Sequence, residues 1–144
     1  MPDPDDVLEV VREWVAKADN DLLTAAHTIK LGEECPTDTV CYHAQQCVEK
    51  YLKAALVLGG IDFPETHDLE RLVALLAAQA LPSFSAEEQA TLTEYATGAR
   101  YPGWGEIPLA EARKAVAIAR RVRREVRRVL PRKVVIGRRT DAKR

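Results

Sequence analysis

The chain has 144 residues, of which 47% are hydrophobic and 30% charged, and its formal net charge is -1. One domain of that size can bury a real core without a metal or a disulfide, and the composition excludes a disordered chain. The longest apolar runs fall well short of the ~18 residues of a membrane span, and Asp3, Asp5 and Asp6 stand where a signal peptide carries lysines.

A soluble, cytoplasmic protein with no membrane partner is therefore expected. Three cysteines cannot all pair within one chain, and Cys41 and Cys47 lie six residues apart on a predicted helix, which fits a reducing compartment. The near-neutral total hides an asymmetry. Residues 108–144 hold 14 Lys/Arg against three acidic residues, a net of +11, while residues 1–107 carry -12. The basic region suits a polyanion, or the acidic region of a second copy.

Helical periodicity dominates the chain. Val7, Val11, Trp14, Val15, Ala18, Leu22, Ala25, Ala26 and Ile29 recur at three and four, predicting a first helix over 5–31 that ends at Gly32. Thr37 or Asp38 is expected to cap a second helix, which runs to Gly59-Gly60. A third is predicted over 67–80 with Thr66 as its cap, stopped by Leu81-Pro82. Ser85 with Glu88 forms a capping box for a fourth. The stretch "GARYPGWGEIP" then breaks regularity, and its Tyr101, Trp104 and Ile107 predict a packed loop. A fifth helix starts at Pro108, suited to a first turn, and reaches Leu130. The expected fold is all-α, an up-and-down four/five-helix bundle over residues 1–130, followed by a basic, mobile tail at 131–144.

The second helix carries the candidate chemistry. Beside its apolar face, His43, Gln46, Lys50 and Lys53 recur at three, four and three residues, flanked by Glu49. Two readings stand at this point. In one, His43 and Gln46 satisfy a helix–helix contact while Glu49, Lys50 and Lys53 face water. In the other, the stripe forms a groove or dimer face that takes a phosphate or a base edge. His67 reads as a surface or capping residue, and His27, set deep in the first helix's pattern, as structural. No CxxC or HxxxH spacing supports a metal, and none is expected. In the fifth helix most of Arg120, Arg121, Arg123, Arg124, Arg127 and Arg128 are expected to face outward around a ridge of Ala119, Val122, Val126, Val129 and Leu130. Their density exceeds what the helix dipole calls for; a solvated helix end is the default reading, with a nucleic-acid backbone or an acidic partner as the functional candidates.

The segments "KADNDLLTA", "YHAQQCVEKYLKAAL", "HDLERL" and "YATGARYPG", with the long final helix, together resemble the HEPN family over about residues 8–128. That resemblance implies a helical bundle that pairs as a homodimer. It places the family's helix-2 pattern on His43, Gln46, Glu49, Lys50 and Lys53, its first-helix aspartate on Asp21, and its Arg-Tyr-Pro element on Arg100, Tyr101 and Pro102. It implies nucleotide binding and a minimal nucleotidyltransferase as partner, sometimes as a toxin–antitoxin pair. The family's ribonucleases use an arginine followed four to six residues later by a histidine. All three histidines here precede residue 68 and none follows an arginine at that interval, so no catalytic residue and no cofactor is assigned. The expected function is a nucleotide- or nucleic-acid-phosphate-binding dimer. The alternatives are a metal-independent endoribonuclease toxin and a purely structural dimer.

Overall fold

The computed structural model describes residues 3–135, with the side chains of Gln79 and Arg100 outside the described set. The chain is an all-α bundle. Helix α1 spans Pro4–Thr28, α2 Thr37–Leu58, α3 Leu69–Leu75, α4 Ala86–Ala96, α5 Leu109–Val129 and α6 Arg132–Val135, with 3-10 turns at Ile29–Glu34, Ala78–Ala80 and Gly98–Arg100.

Helix α2 is the axis of the bundle, and α1, α4 and α5 pack around it. Fourteen of its residues are buried, on every side of the helix, which is how a helix reads when neighbours surround it. The outer helices bury single stripes instead: Val11, Val15, Ala18 and Ala25 on α1, and Ala112, Ala115, Val116, Ala119, Val122 and Val126 on α5. Alanines recur in both stripes, and small side chains let neighbouring backbones approach closely.

Several boundaries differ from those the sequence predicts. Helix α1 ends at Thr28, and the chain passes through a 3-10 turn in which Gly32 takes φ +62, so the stop is spread over six residues. Pro36, rather than Thr37 or Asp38, holds the N-cap position of α2, although the Asp38 carboxylate does accept from a first-turn amide, that of Thr39, at 2.8 Å. Helix α3 is seven residues long rather than fourteen. Asp68, not Thr66, is its cap, accepting from the Glu70 and Arg71 amides at 3.1 and 3.4 Å. At the other end Leu76 enters the core from an extended backbone, which outweighs the helix propensity of the alanines beyond it. Ser85 and Glu88 do form the capping box of α4. Pro108 is the N-cap of α5 rather than its first helical residue.

In the loop before α5, Ile107 is buried, whereas Tyr101 is 65% and Trp104 44% exposed. The inner edge of the Trp104 ring lies against Gly98, where an added Cβ would meet it at 2.8 Å. Val129 leaves the expected ridge and is exposed, and so is His27. Beyond Pro131, α6 returns to α1: Val134 is buried, Arg127 donates to the Val135 carbonyl at 2.8 Å, and Arg12 to that of Lys133 at 3.5 Å. Residues 136–144 of the basic tail lie outside the described residues.

Candidate functional site

The polar stripe of α2 resolves into two separate clusters. In the first, the Asp21 carboxylate of α1 accepts from His43 Nδ1 at 2.7 Å and from Lys50 Nζ at 2.5 Å. The two donors stand about two turns apart on α2, so a single acidic side chain ties successive turns of that helix to α1.

The second cluster centres on Glu49, which is only 3% exposed. Its Oε1 accepts from Gln45 Nε2 at 3.0 Å, His67 Nδ1 at 2.8 Å and, at 3.5 Å, Gln46 Nε2; its Oε2 accepts from Lys53 Nζ at 2.9 Å. Gln46 also donates to Gln45 Oε1 at 2.7 Å, and Gln45 to the His67 carbonyl at 3.4 Å. Burial pushes the Glu49 carboxyl up, but the hydrogen bonds from Gln45, Lys53 and His67, with the Lys53 charge, outweigh it and hold Glu49 below the usual carboxylate value. Lys53 is itself buried, its ammonium lying 5.5 Å from the Trp14 ring centre and 5.8 Å from that of Phe63. Glu49 and Lys53 therefore do not face water, as the simplest reading of the helix expects. The segment from Phe63 to His67 covers them.

On the other side of α1, Asp19 organises a third cluster. At 100° per residue, Asp19 and Asp21 project about 160° apart around the helix axis. Asp19 accepts from the Tyr51 hydroxyl, from Arg123 Nε at 2.8 Å and, more loosely, from Arg127 Nη1 at 3.5 Å. Burial, with the Asp19 charge added, raises the Tyr51 pKa, so the phenol keeps its proton and remains a donor. Burial by itself lowers the Arg123 pKa, and its bond to Asp19 reverses that and raises it. Most of the α5 arginines are expected to look outward, but half of the six have acidic partners: Arg121 pairs with Glu88 at 2.6 Å, and Arg123 and Arg127 converge on Asp19.

Two clefts lie along α5. One, of about 410 Å³ between α1 and α5, is lined by Leu22, Arg120, Arg123, Arg124 and Arg127. The other, of about 660 Å³ between α4 and α5, has Leu92, Tyr95, Ala115 and Ile118 in its lining and Glu88, Glu111, Lys114 and Arg121 among its charged groups. The three cysteines are buried thiols. Burial, reinforced by nearby acids, raises Cys41 to about 12 and Cys47 higher still, so neither supplies a thiolate. Among the described residues no group of three His, Cys, Asp or Glu side chains is placed to hold a metal ion.

The model of the HEPN domain matches residues 11–129, most of the chain. The chain belongs to the HEPN family. A solved structure, TT1696 from Thermus thermophilus, is similar with a TM-score of 0.71 and 25% sequence identity, over 83% of this chain and 98% of that one. No curated protein matches the chain significantly.

Of the seven residues that the sequence marks on this HEPN domain, the fold joins His43 and Lys50 through Asp21, and Gln46, Glu49 and Lys53 through one another. Tyr101 stands apart, turned to solvent. Arg100 ends the 3-10 turn packed against α2, and its side chain lies outside the described residues. Sequence reasoning missed the role of His67 in the Glu49 cluster and that of Asp19 beneath the α5 arginines. The second had a partial signal: two aspartates two residues apart on a helix project to different sides and so meet different surroundings.

Proposed function

We propose that this HEPN domain is a homodimeric module that binds the phosphates of a nucleotide or nucleic acid and works beside a minimal nucleotidyltransferase. The observation that carries the reading is the α1–α5 cleft, where four guanidinium groups line one opening. Arginine is suited to that task, because its planar fork meets two phosphate oxygens at once. Arg120 and Arg124 are exposed on its lip, while Asp19 fixes Arg123 and Arg127 from below. Family membership supports the dimer and the partner.

The α2 stripe is a weaker phosphate site. Lys50 is already engaged by Asp21, and Lys53 by a buried Glu49. That internal satisfaction favours a second reading for the stripe: it is a lock that holds α1 and the segment before α3 onto α2.

Titration of ATP, GTP and a short RNA by calorimetry tests both. Loss of binding in Arg120→Ala with retention in Lys50→Ala is expected, and Arg100→Ala tests the loop arginine in the same series. Equal loss in Lys50→Ala returns the site to α2, and absence of binding in the wild type leaves only the structural reading. Light scattering reads the dimer directly, with a monomer at micromolar concentration as the contrary result. Copurification with a co-expressed minimal nucleotidyltransferase tests the partner.

A further inference from the structure

Arg113, Arg120, Arg124 and Arg128 are all exposed, and they fall within about 80° of one another around the α5 axis. From first to last they are fifteen residues apart in the sequence, which on a helix is about 22 Å. Only Ala117, also exposed, fills the one position in this row that lacks an arginine. Among the described residues none of the four forms an ion pair, unlike Arg121, Arg123 and Arg127 on the flank of the same helix. Helix α5 carries two acids, Glu111 and Glu125. Glu125 accepts from the Ser83 amide at 3.1 and 3.2 Å and remains a carboxylate whose charge is felt by Arg121 and Arg124, so it offsets one end of the row in part; Glu111 projects about 160° from Arg113 around the axis.

The helix dipole does not account for the row. It favours cations in the last turn, which would explain Arg128, whereas Arg113 belongs to the second turn and Arg120 to the middle of the helix, beyond its reach. Four like charges at such spacing repel one another across an exposed face, and a chain of anions at a similar spacing would relieve that repulsion. A single nucleotide is too short to do so. Along one strand of a duplex, phosphates advance about 3.4 Å each, so 22 Å corresponds to about six or seven of them.

We infer that the ligand of this face is a polymer, a phosphodiester backbone laid along α5 over Arg113, Arg120, Arg124 and Arg128 and past the mouth of the α1–α5 cleft. The inference rests on the phosphate-binding reading above and selects nucleic acid over the free nucleotide. Recognition is of the backbone: no arginine of the row is braced by a second side chain that would fix it on a base edge, so binding is independent of sequence and strongly dependent on salt.

The test is fluorescence anisotropy with labelled strands of about three and about twelve nucleotides, single-stranded and duplex, over a range of salt. Four neutralised phosphates give a slope of about -2.8 for a single strand, a loss of ~50-fold in affinity for a fourfold rise in salt. The double variant R113Q/R128Q, at two exposed positions outside the cleft lining, should halve the slope and cut that loss to ~7-fold. Circular dichroism confirms that the variant is folded. Tighter binding of the longer strand, with the slope halved in the variant, supports the inference, and the single-stranded and duplex arms report which form the face accepts. Equal affinity for both lengths, or an unchanged slope in R113Q/R128Q, overturns it. If ATP binds and Arg120→Ala abolishes that binding while strand length adds nothing, the phosphate reading stands and the polymer fails. If neither ATP nor any strand binds, both fail.

Discussion

Glu49 shows how much a single residue carries in this domain. It is a buried carboxylate with donors from α2 and from the segment before α3, and its lowered pKa ties stability to pH. A carboxyl that is lower in the folded than in the unfolded state contributes stability that is fully present above its unfolded value. That contribution is lost as the pH falls through the folded value. Urea unfolding of the wild type should therefore weaken below the ordinary glutamate value of 4.5, and Glu49→Gln should remove that part of the acid dependence. At neutral pH the same variant strands the Lys53 ammonium in a buried site, and a loss of about 3 kcal/mol is expected from the urea midpoint. Gly98 is a second residue whose identity is set by contact. Gly98→Ala puts a methyl group where the Trp104 ring now lies, so the ring must swing outward. Tryptophan emission should shift to the red as it gains exposure.

At the scale of elements, the helix starts separate what capping chemistry does from where it is merely available. Ser85 closes a reciprocal box on α4, and Ser85→Ala should cost about 1 kcal/mol. Thr37 opens α2 with a hydroxyl of the right kind, yet it makes no cap bond, since Pro36 holds the N-cap position. Thr37→Ala is expected to stay within about 0.5 kcal/mol of the wild type, and paired urea melts of the two variants check the contrast. The short α3 follows the same logic. Its two fully buried leucines, Leu69 and Leu72, are set one turn apart, and the helix persists only as long as that contact needs it. The exposed alanines beyond it have propensity but nothing to pack against.

At the scale of the molecule, the central position of α2 makes stability a shared property. Leu52→Ala opens a void beside the axial helix, where Leu52 is fully buried, and should lower stability by about 3 kcal/mol. Its urea curve should keep a single transition, because no outer helix has a core of its own. The spacing of apolar residues made the five main helices legible in the sequence, since burial on one side imposes a period of three and four. The capping box of Ser85 and the stop at Gly59-Gly60 were legible for the same local reason. The family was carried by ordered motifs, above all the polar stripe of α2 followed at a distance by Arg100-Tyr101-Pro102. What that stripe touches was not legible. Whether Lys53 meets water or Glu49, and whether Arg123 points outward or onto Asp19, depends on residues 4 and 104 positions away, respectively, and on what covers them. A helical period gives the direction of a side chain about its own axis. Only the packing of a neighbour beside that axis decides whether a charge is solvated, paired or left free, and it is this that set the paired arginines of α5 apart from the exposed row of Arg113, Arg120, Arg124 and Arg128.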